Sequence, residues 1–240
     1  MYSRVDTLLS HLKKYVRNEF NRMGLLGLDE LNVITVKTQT TSLFDRLKEE
    51  NMKAFRDAAK NAQSYALKLI TLYRGDEFSA DISTEELESL LKKKSAVDTS
   101  ELTESPEIGT VTWVTGFLAL YNPITCYLYT SEADRKRMRY AEEILTSVQY
   151  GDRNQYNKST ERTANLWYNQ SEQYLMDVTD EATIETYKNN DVEYVRWMTE
   201  RDDRVCDECK AMHGKIYPID AVPTKPHRRC RCYLIPAKRE

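Results

Sequence analysis

Five side chains that could bind a metal ion lie close together near the C-terminal end of the sequence. They form a C-x-x-C pair, a C-x-C pair and a histidine just before the second pair: Cys206, Cys209, Cys230, Cys232 and His227. In a chain without the apolar core of a secretory signal, two close cysteine pairs are more typical of metal ligands than of disulfides. A structural Zn²⁺ takes four sulfur or nitrogen ligands in a tetrahedron. The spacing therefore predicts a structural zinc site.

There are five candidate ligands for the four positions around a tetrahedral zinc ion, so the sequence allows two ligand sets. One set uses all four tail cysteines and leaves His227 outside. The other uses three cysteines with His227, so that either Cys230 or His227 is the fourth ligand. His213 is a weaker substitute for His227, and Cys126, alone among apolar residues, is interpreted as a small buried side chain.

Motifs that would make the site catalytic are missing from the sequence. It has no H-x-E, no H-E-x-x-H, no G-x-S-x-G and no glycine-rich phosphate loop, and sulfur-rich ligation favours a closed structural site. Asp202, Asp203, Asp207 and Glu208 could hold a second metal ion in a nuclease, but a solvated acidic turn is the preferred interpretation. We therefore expect a protein that is not an enzyme.

The elements around the cysteines are predicted to be short and extended. The run VEYVRWMT, starting at residue 192, is rich in residues that favour strands. The run GKIYPID reads as half of a β-hairpin, and four of the six prolines stiffen this tail. A segment of this length buries little apolar area, so a zinc ion would supply the missing free energy of folding.

Upstream of the tail, helical periodicity dominates. It predicts helices at Val5–Met23 and from about Asp29 to Gly75, where the run TVKTQTTS has low helix propensity. Further helices are predicted after a Ser83/Glu86 capping box and at 131–148, 160–177 and 180–188, the last capped by Thr179. The apolar run at 109–130 is predicted to be a strand or a buried segment. The fold class is α+β and predominantly helical: a helical region (1–94), a polar linker (95–106) and a helical/β domain (107–240) that ends in a zinc-stapled hairpin (201–236).

Composition excludes several classes of protein. The 240 residues are 40% hydrophobic and 30% charged with a net charge of -3, which excludes a wholly disordered chain and gives no overall attraction to nucleic acid. No apolar run approaches the roughly 20 residues of a membrane span, so a cytoplasmic protein is expected. Residues 201–240 carry ten basic and six acidic side chains. An alternative hypothesis is therefore DNA binding through Arg228, Arg229 and Arg231.

The tail resembles the C-terminal signature of the phage Mu F-like head morphogenesis family, the minor head (minor capsid) proteins of tailed phages and prophages. The similarity extends over about Tyr121 to Pro236. The residues that match the family's D-x-R-x-C-x-x-C, G-K-x-Y/F and H-x-x-C-R-C elements are Asp202, Arg204, Cys206, Cys209, Gly214, Lys215, Tyr217, His227, Cys230, Arg231 and Cys232. One departure is Arg228, where many relatives have proline.

This resemblance implies a role rather than a reaction. Members of the family join the procapsid in few copies, commonly near the portal, and aid head assembly and DNA packaging or delivery. It implies portal and major capsid or scaffolding proteins as partners, a place inside the phage head, and the host cytoplasm during assembly. Helices in 1–94 would then provide a portal-binding or homo-oligomer surface.

Overall fold

The computed structural model describes residues 3–78, 82–93, 132–200, 205–227 and 230–239. Its helices are α1 (Ser3–Leu25), α2 (Val33–Arg74), α3 (Thr84–Lys93), α4 (Glu132–Gln149), α5 (Arg153–Lys188) and α6 (Asp207–Met212), with 3₁₀ turns at Glu30–Asn32 and Ile219–Ala221. Its strands are β1 (Tyr194–Met198), β2 (Ile216–Pro218) and β3 (Tyr233–Ala237). The predicted linker at 95–106 and apolar run at 109–130 lie outside the described residues.

The chain divides into two compact units. The helical unit contains the described residues 3–55 and 132–175. The sheet unit contains the described residues 56–78, 82–93, 176–200, 205–227 and 230–239. Helices α2 and α5 contribute residues to both units, whereas the division of the sequence at 94 and 107 stays a prediction.

The helical unit is built on apolar stripes at helical spacing. Its buried side chains come from α1, α2, α4 and α5: Val16, Phe20, Met23, Val36, Leu43, Leu47, Ile144, Val148, Tyr156, Ala164 and Trp167. The hydroxyl of Tyr156 donates to the carbonyl of Phe20 at 2.8 Å. Gly151, with a φ of +70°, makes the turn from α4 to α5, as its place in the sequence predicts.

The beginning of α2 differs in detail from the prediction. Asp29 does act as a cap, but it caps the 3₁₀ turn Glu30–Asn32 by accepting from the backbone of Asn32, and α2 begins at Val33. The polar, β-branched run TVKTQTTS is helical throughout, despite its low helix propensity. Its buried side chains include Val36 and Thr40, and burial of one face outweighs weak intrinsic propensity.

Helix α5 is one continuous helix where the sequence predicted two. Thr179, expected to cap a new helix, lies inside α5 and is buried. Threonine hydroxyls bond within the helix: Thr183 donates to the carbonyl of Thr179 at 2.8 Å and Thr186 to that of Ala182 at 2.7 Å. Because these hydroxyls are satisfied by carbonyls one turn back, the polar residues remain buried without breaking the helix.

The sheet unit contains a three-stranded antiparallel sheet in the order β2-β1-β3. The predicted strand at VEYVRWMT is confirmed as β1, the central strand. Strand β2, predicted as half of a hairpin within 201–236, pairs with β1 instead, and β1 lies between β2 and β3. The two strands of the tail are therefore not hairpin partners, because β1 supplies the hydrogen bonds to both. Tyr187 and Tyr73 donate from their hydroxyls to the β3 carbonyls of Leu234 and Ala237 at 3.0 and 3.1 Å. These bonds attach the edge strand to α5 and α2.

Helix α3 of the sheet unit begins with the predicted capping box. Glu86 accepts from the backbone of Ser83 at 3.0 Å, and Ser83 Oγ accepts from the backbone of Glu86 at 3.2 Å.

The chain is mostly helical with a small sheet near its C-terminal end, which confirms this coarse part of the predicted fold class. Among the described residues, no helix combines the length and apolarity needed to cross a bilayer.

Candidate metal centre

The first cysteine pair is held by the short helix α6. Cys206 is the N-terminal cap of α6, and its Sγ accepts from the backbone N–H of Cys209 at 3.4 Å. Cys209 lies one turn into the helix and is buried. The C-x-x-C spacing therefore brings both sulfur atoms to the same end of a single helical turn.

The second pair leads into β3. Cys230 and Cys232 are both buried, and Tyr233 begins the strand that pairs with β1. Lys225 fixes the approach to this pair, because its Nζ donates to the carbonyl of Cys230 at 3.1 Å and pairs with Asp180 of α5 at 2.6 Å.

The fold brings all five predicted ligands together. Cys209 is central: its Sγ lies 3.3 Å from Nε2 of His227 and 3.5 Å from Sγ of Cys230. The ligand atoms form two groups that share Cys209, and within each group they lie within 4.8 Å of one another. One group is Cys206, Cys209 and His227; the other is Cys209, Cys230 and Cys232. The two cysteine pairs thus meet as the zinc prediction requires.

Hydrogen bonds divide the four thiols into two kinds. A hydrogen bond from the backbone N–H of Cys209 lowers the pKa of Cys206. Hydrogen bonds from the thiol and the backbone N–H of Cys232 lower the pKa of Cys230 to about 5. Burial raises the pKa of Cys209 to about 12, and the hydrogen bond to Cys230 raises the pKa of Cys232. The lowered pKa values of Cys206 and Cys230 favour their thiolate forms, and the raised pKa values of Cys209 and Cys232 favour their thiol forms, whose protons a bound cation would displace.

This donor set fits a borderline-soft divalent ion such as Zn²⁺. Cys209, Cys230 and Cys232 are at most 4% exposed, and thiolate and imidazole are the usual ligands of closed zinc sites. Backbone N–H groups already point at two of the sulfur atoms, and such donors orient ligands and reduce their negative charge. The cluster could therefore hold a metal ion.

Comparison with known proteins bears on the segment that contains this cluster. Residues 132–235 match the family model described as phage Mu protein F like protein. This part of the chain is similar to the phage Mu protein F-like family. No curated protein and no solved structure matches the chain. The match confirms the resemblance seen in the sequence.

The phage Mu F-like segment runs from the start of α4 into β3 and includes all five clustered ligands. It thus draws on both compact units, because α4 and the first part of α5 belong to the helical unit. In the sheet unit it contains the whole metal cluster and the strands around it.

The other candidate residues do not belong to this cluster or lie outside the described residues. His213 accepts at Nδ1 from the backbone of Thr199 at 3.1 Å and belongs to neither ligand group. Asp207 and Glu208 are exposed in the first turn of α6, as expected of a solvated acidic turn. Cys126, Asp202 and Asp203 lie outside the described residues.

The basic run after His227 is only partly described. Arg228 and Arg229 lie outside the described residues, and Arg231 pairs its Nη1 with Glu200 at 2.7 Å. This ion pair engages Arg231 with its own chain.

The sequence predicted a strand that contains Trp197 but did not indicate that this residue lies beside the cysteines. Its indole packs in one buried cluster with Cys209, Cys230 and Cys232. No local sequence pattern gives this position, because it follows from the pairing of β1 with β3, which begins directly after Cys232.

Proposed function

We propose that this protein is a structural minor head protein of a tailed phage or prophage, which associates with the portal or procapsid and aids head assembly and DNA packaging or delivery. The family match over residues 132–235 is the observation that carries this proposal. The protein would act in the host cytoplasm during assembly and remain in the head of the finished particle.

The metal cluster is proposed to be a structural zinc site within this role. A zinc ion bound by sulfur atoms from α6 and from the approach to β3 would link the two ends of the segment that contains β2. Structural zinc sites in small folds contribute free energies of binding on the order of 10 kcal/mol. The ion would thus fix the sheet unit in a single conformation during head assembly.

The helical unit offers an apolar surface for a protein partner. Five large hydrophobic side chains that are strongly exposed lie at its two interhelical turns: Leu25, Leu26, Leu31, Ile34 and Tyr150. Leu31 is 88% exposed and Ile34 77%. Exposed apolar side chains grouped in this way are typical of protein-binding sites. We propose that this apolar end contacts the portal or a capsid protein.

Co-purification with head components tests the proposed role. The protein is expressed with the portal, major capsid and scaffolding proteins of its phage, procapsids are isolated, and mass spectrometry measures its copy number. We expect the wild-type chain in few copies per particle. The double variant Leu31→Asp with Ile34→Asp should be depleted, while Thr35→Asp, at an exposed polar position on α2, should be retained. Absence of the wild-type chain from procapsids and portal complexes would contradict the proposal.

A further inference from the structure

Trp197 carries a buried hydrogen-bond donor that the fold alone leaves unused. The side chain is 2% exposed. Its Nε1 is buried and, among the described residues, has no partner with good hydrogen-bond geometry. An indole nitrogen can only donate, so it requires an acceptor to offset the loss of water.

The surroundings of this indole are the sulfur atoms of the metal cluster. Trp197 packs with Cys209, Cys230 and Cys232 in one buried group. The indole N–H interacts with the side chain of Cys232. A thiol is a weak acceptor, whereas a metal-bound thiolate is a strong one. A metal-bound Cys232 would therefore provide the acceptor that the indole lacks.

The backbone holds Trp197 firmly in this position. Its N–H donates to the carbonyl of Lys215 at 2.9 Å, and its carbonyl accepts from the N–H of Gly214 at 2.8 Å. On the other side of β1 it stands opposite Leu234 of β3, two residues after Cys232. The ring meets that of Tyr217 edge-on, with 6.4 Å between centroids. The direction of the indole is thus set by the sheet before any ion binds.

We propose that Trp197 is a positioning residue of the metal centre, whose indole N–H donates to Sγ of Cys232 when that sulfur is a metal-bound thiolate. This inference rests on the proposed zinc site and goes further by making Cys232 a member of the ligand set. The bond reduces the negative charge on a sulfur-rich site and fixes the direction from which Cys232 approaches the ion. Outer-shell donors of this kind typically change metal affinity by about 10- to 100-fold.

Metal competition with a matched pair of variants tests the proposal. The full chain is titrated with Zn²⁺ against a chromophoric chelator, and with Co²⁺, whose thiolate charge-transfer band reports the state of the bound sulfur atoms. Trp197→Phe should weaken zinc binding by about tenfold or more and shift the cobalt band. The control is Trp167→Phe, because Trp167 is also buried with an unpartnered indole nitrogen but lies in the helical unit. It should change neither readout.

An isosteric replacement separates the hydrogen bond from ring packing. Benzothienylalanine at position 197 keeps the bicyclic shape and replaces the N–H by sulfur, so it should reproduce the loss of affinity and the shifted band while the sheet unit stays folded. Wild-type affinity and an unshifted band in this variant would overturn the role of Trp197 and leave the zinc site intact. A wild-type chain that binds neither Zn²⁺ nor Co²⁺ would overturn the zinc site itself, and this inference with it.

Discussion

The Sγ atoms of Cys209 and Cys230 lie 3.5 Å apart, although 21 positions separate them in the sequence. Cys209 belongs to both groups of clustered ligand atoms, whereas each of the other four belongs to one. Among these two groups, Cys209 is therefore the sulfur atom that links the start of α6 to the approach to β3.

Loss of Cys209 should abolish metal binding. We expect Cys209→Ser to bind no zinc, and Cys206→Ser or Cys232→Ser to release it, while His227→Ala keeps a reduced affinity because four cysteines remain. Elemental analysis of the purified proteins measures the zinc content, which should be about one ion per wild-type chain for a four-ligand site. Cys126→Ser, outside the two tail pairs, is the control. Unchanged zinc in the Cys209 and Cys232 variants would refute the assignment.

Removal of the metal should destabilise the sheet unit. A chelator with a thiol reductant should lower the Tm of the wild-type chain and change the near-ultraviolet circular dichroism of the buried Trp197, because the ion stabilises the folded state through its binding free energy. Added Zn²⁺ should restore both signals. Cys209→Ser should show no response to the chelator, and an equal response in that variant would argue against the site.

The hydrogen bond between Tyr156 and Phe20 should make a measurable contribution to the free energy of unfolding. Tyr156→Phe removes the hydroxyl that donates to the carbonyl of Phe20 and should lower the free energy of unfolding by about 1 kcal/mol. Urea denaturation measures the difference. Tyr150→Phe is the matched control, because Tyr150 is 75% exposed, and an equal loss in both variants would show that the bond contributes nothing.

The capping box of α3 should make a smaller contribution to the free energy of unfolding, confined to the start of this helix. Ser83→Ala removes the acceptor for the backbone of Glu86 and should cost about 1 kcal/mol. Ser89→Ala, at an exposed position of the same helix, should be near neutral. Thermal denaturation followed by circular dichroism distinguishes the two, and indistinguishable Tm values would count against the cap.

Alkaline pH should destabilise the fold through buried tyrosines. Burial raises the pKa of Tyr187 well above its usual value and that of Tyr156 to about 12. Because the folded-state pKa is raised, this stability is complete below the unfolded pKa of about 10 and is lost as the pH rises above it, by roughly 1.4 kcal/mol per pH unit for each tyrosine.

Urea unfolding at a series of pH values measures this slope. Tyr187→Phe should make the decline above about pH 10 shallower, whereas Tyr150→Phe should leave it unchanged. A wild-type stability that stays constant across this range would contradict the expectation.

The sequence predicted those features that depend on local pattern. The apolar stripe of α1, the Ser83/Glu86 box and the strand around Trp197 each arise from residues a few positions apart. The metal cluster was also predictable, because two closely spaced pairs of cysteines are typical of metal ligands.

What the sequence could not predict depends on distant contacts. The continuity of α5 through Thr179 depends on burial by neighbouring elements, which residues 160–188 alone do not reveal. Strand β3 is defined by its pairing with β1 and by hydroxyl bonds from Tyr73 and Tyr187. The place of Trp197 beside Cys232 likewise follows from strand register, which periodicity does not specify.

The threonines that bond back into α5 have a consequence for how this chain can vary. Because Thr183 and Thr186 satisfy their hydroxyls on carbonyls of their own helix, they place no directional demand on the helices beside them. Exchange of either for valine leaves no neighbour short of a hydrogen-bond partner, so hydrogen bonding does not constrain these two positions and only their buried volume does. Tyr187, one residue further, donates to another element and has no such freedom.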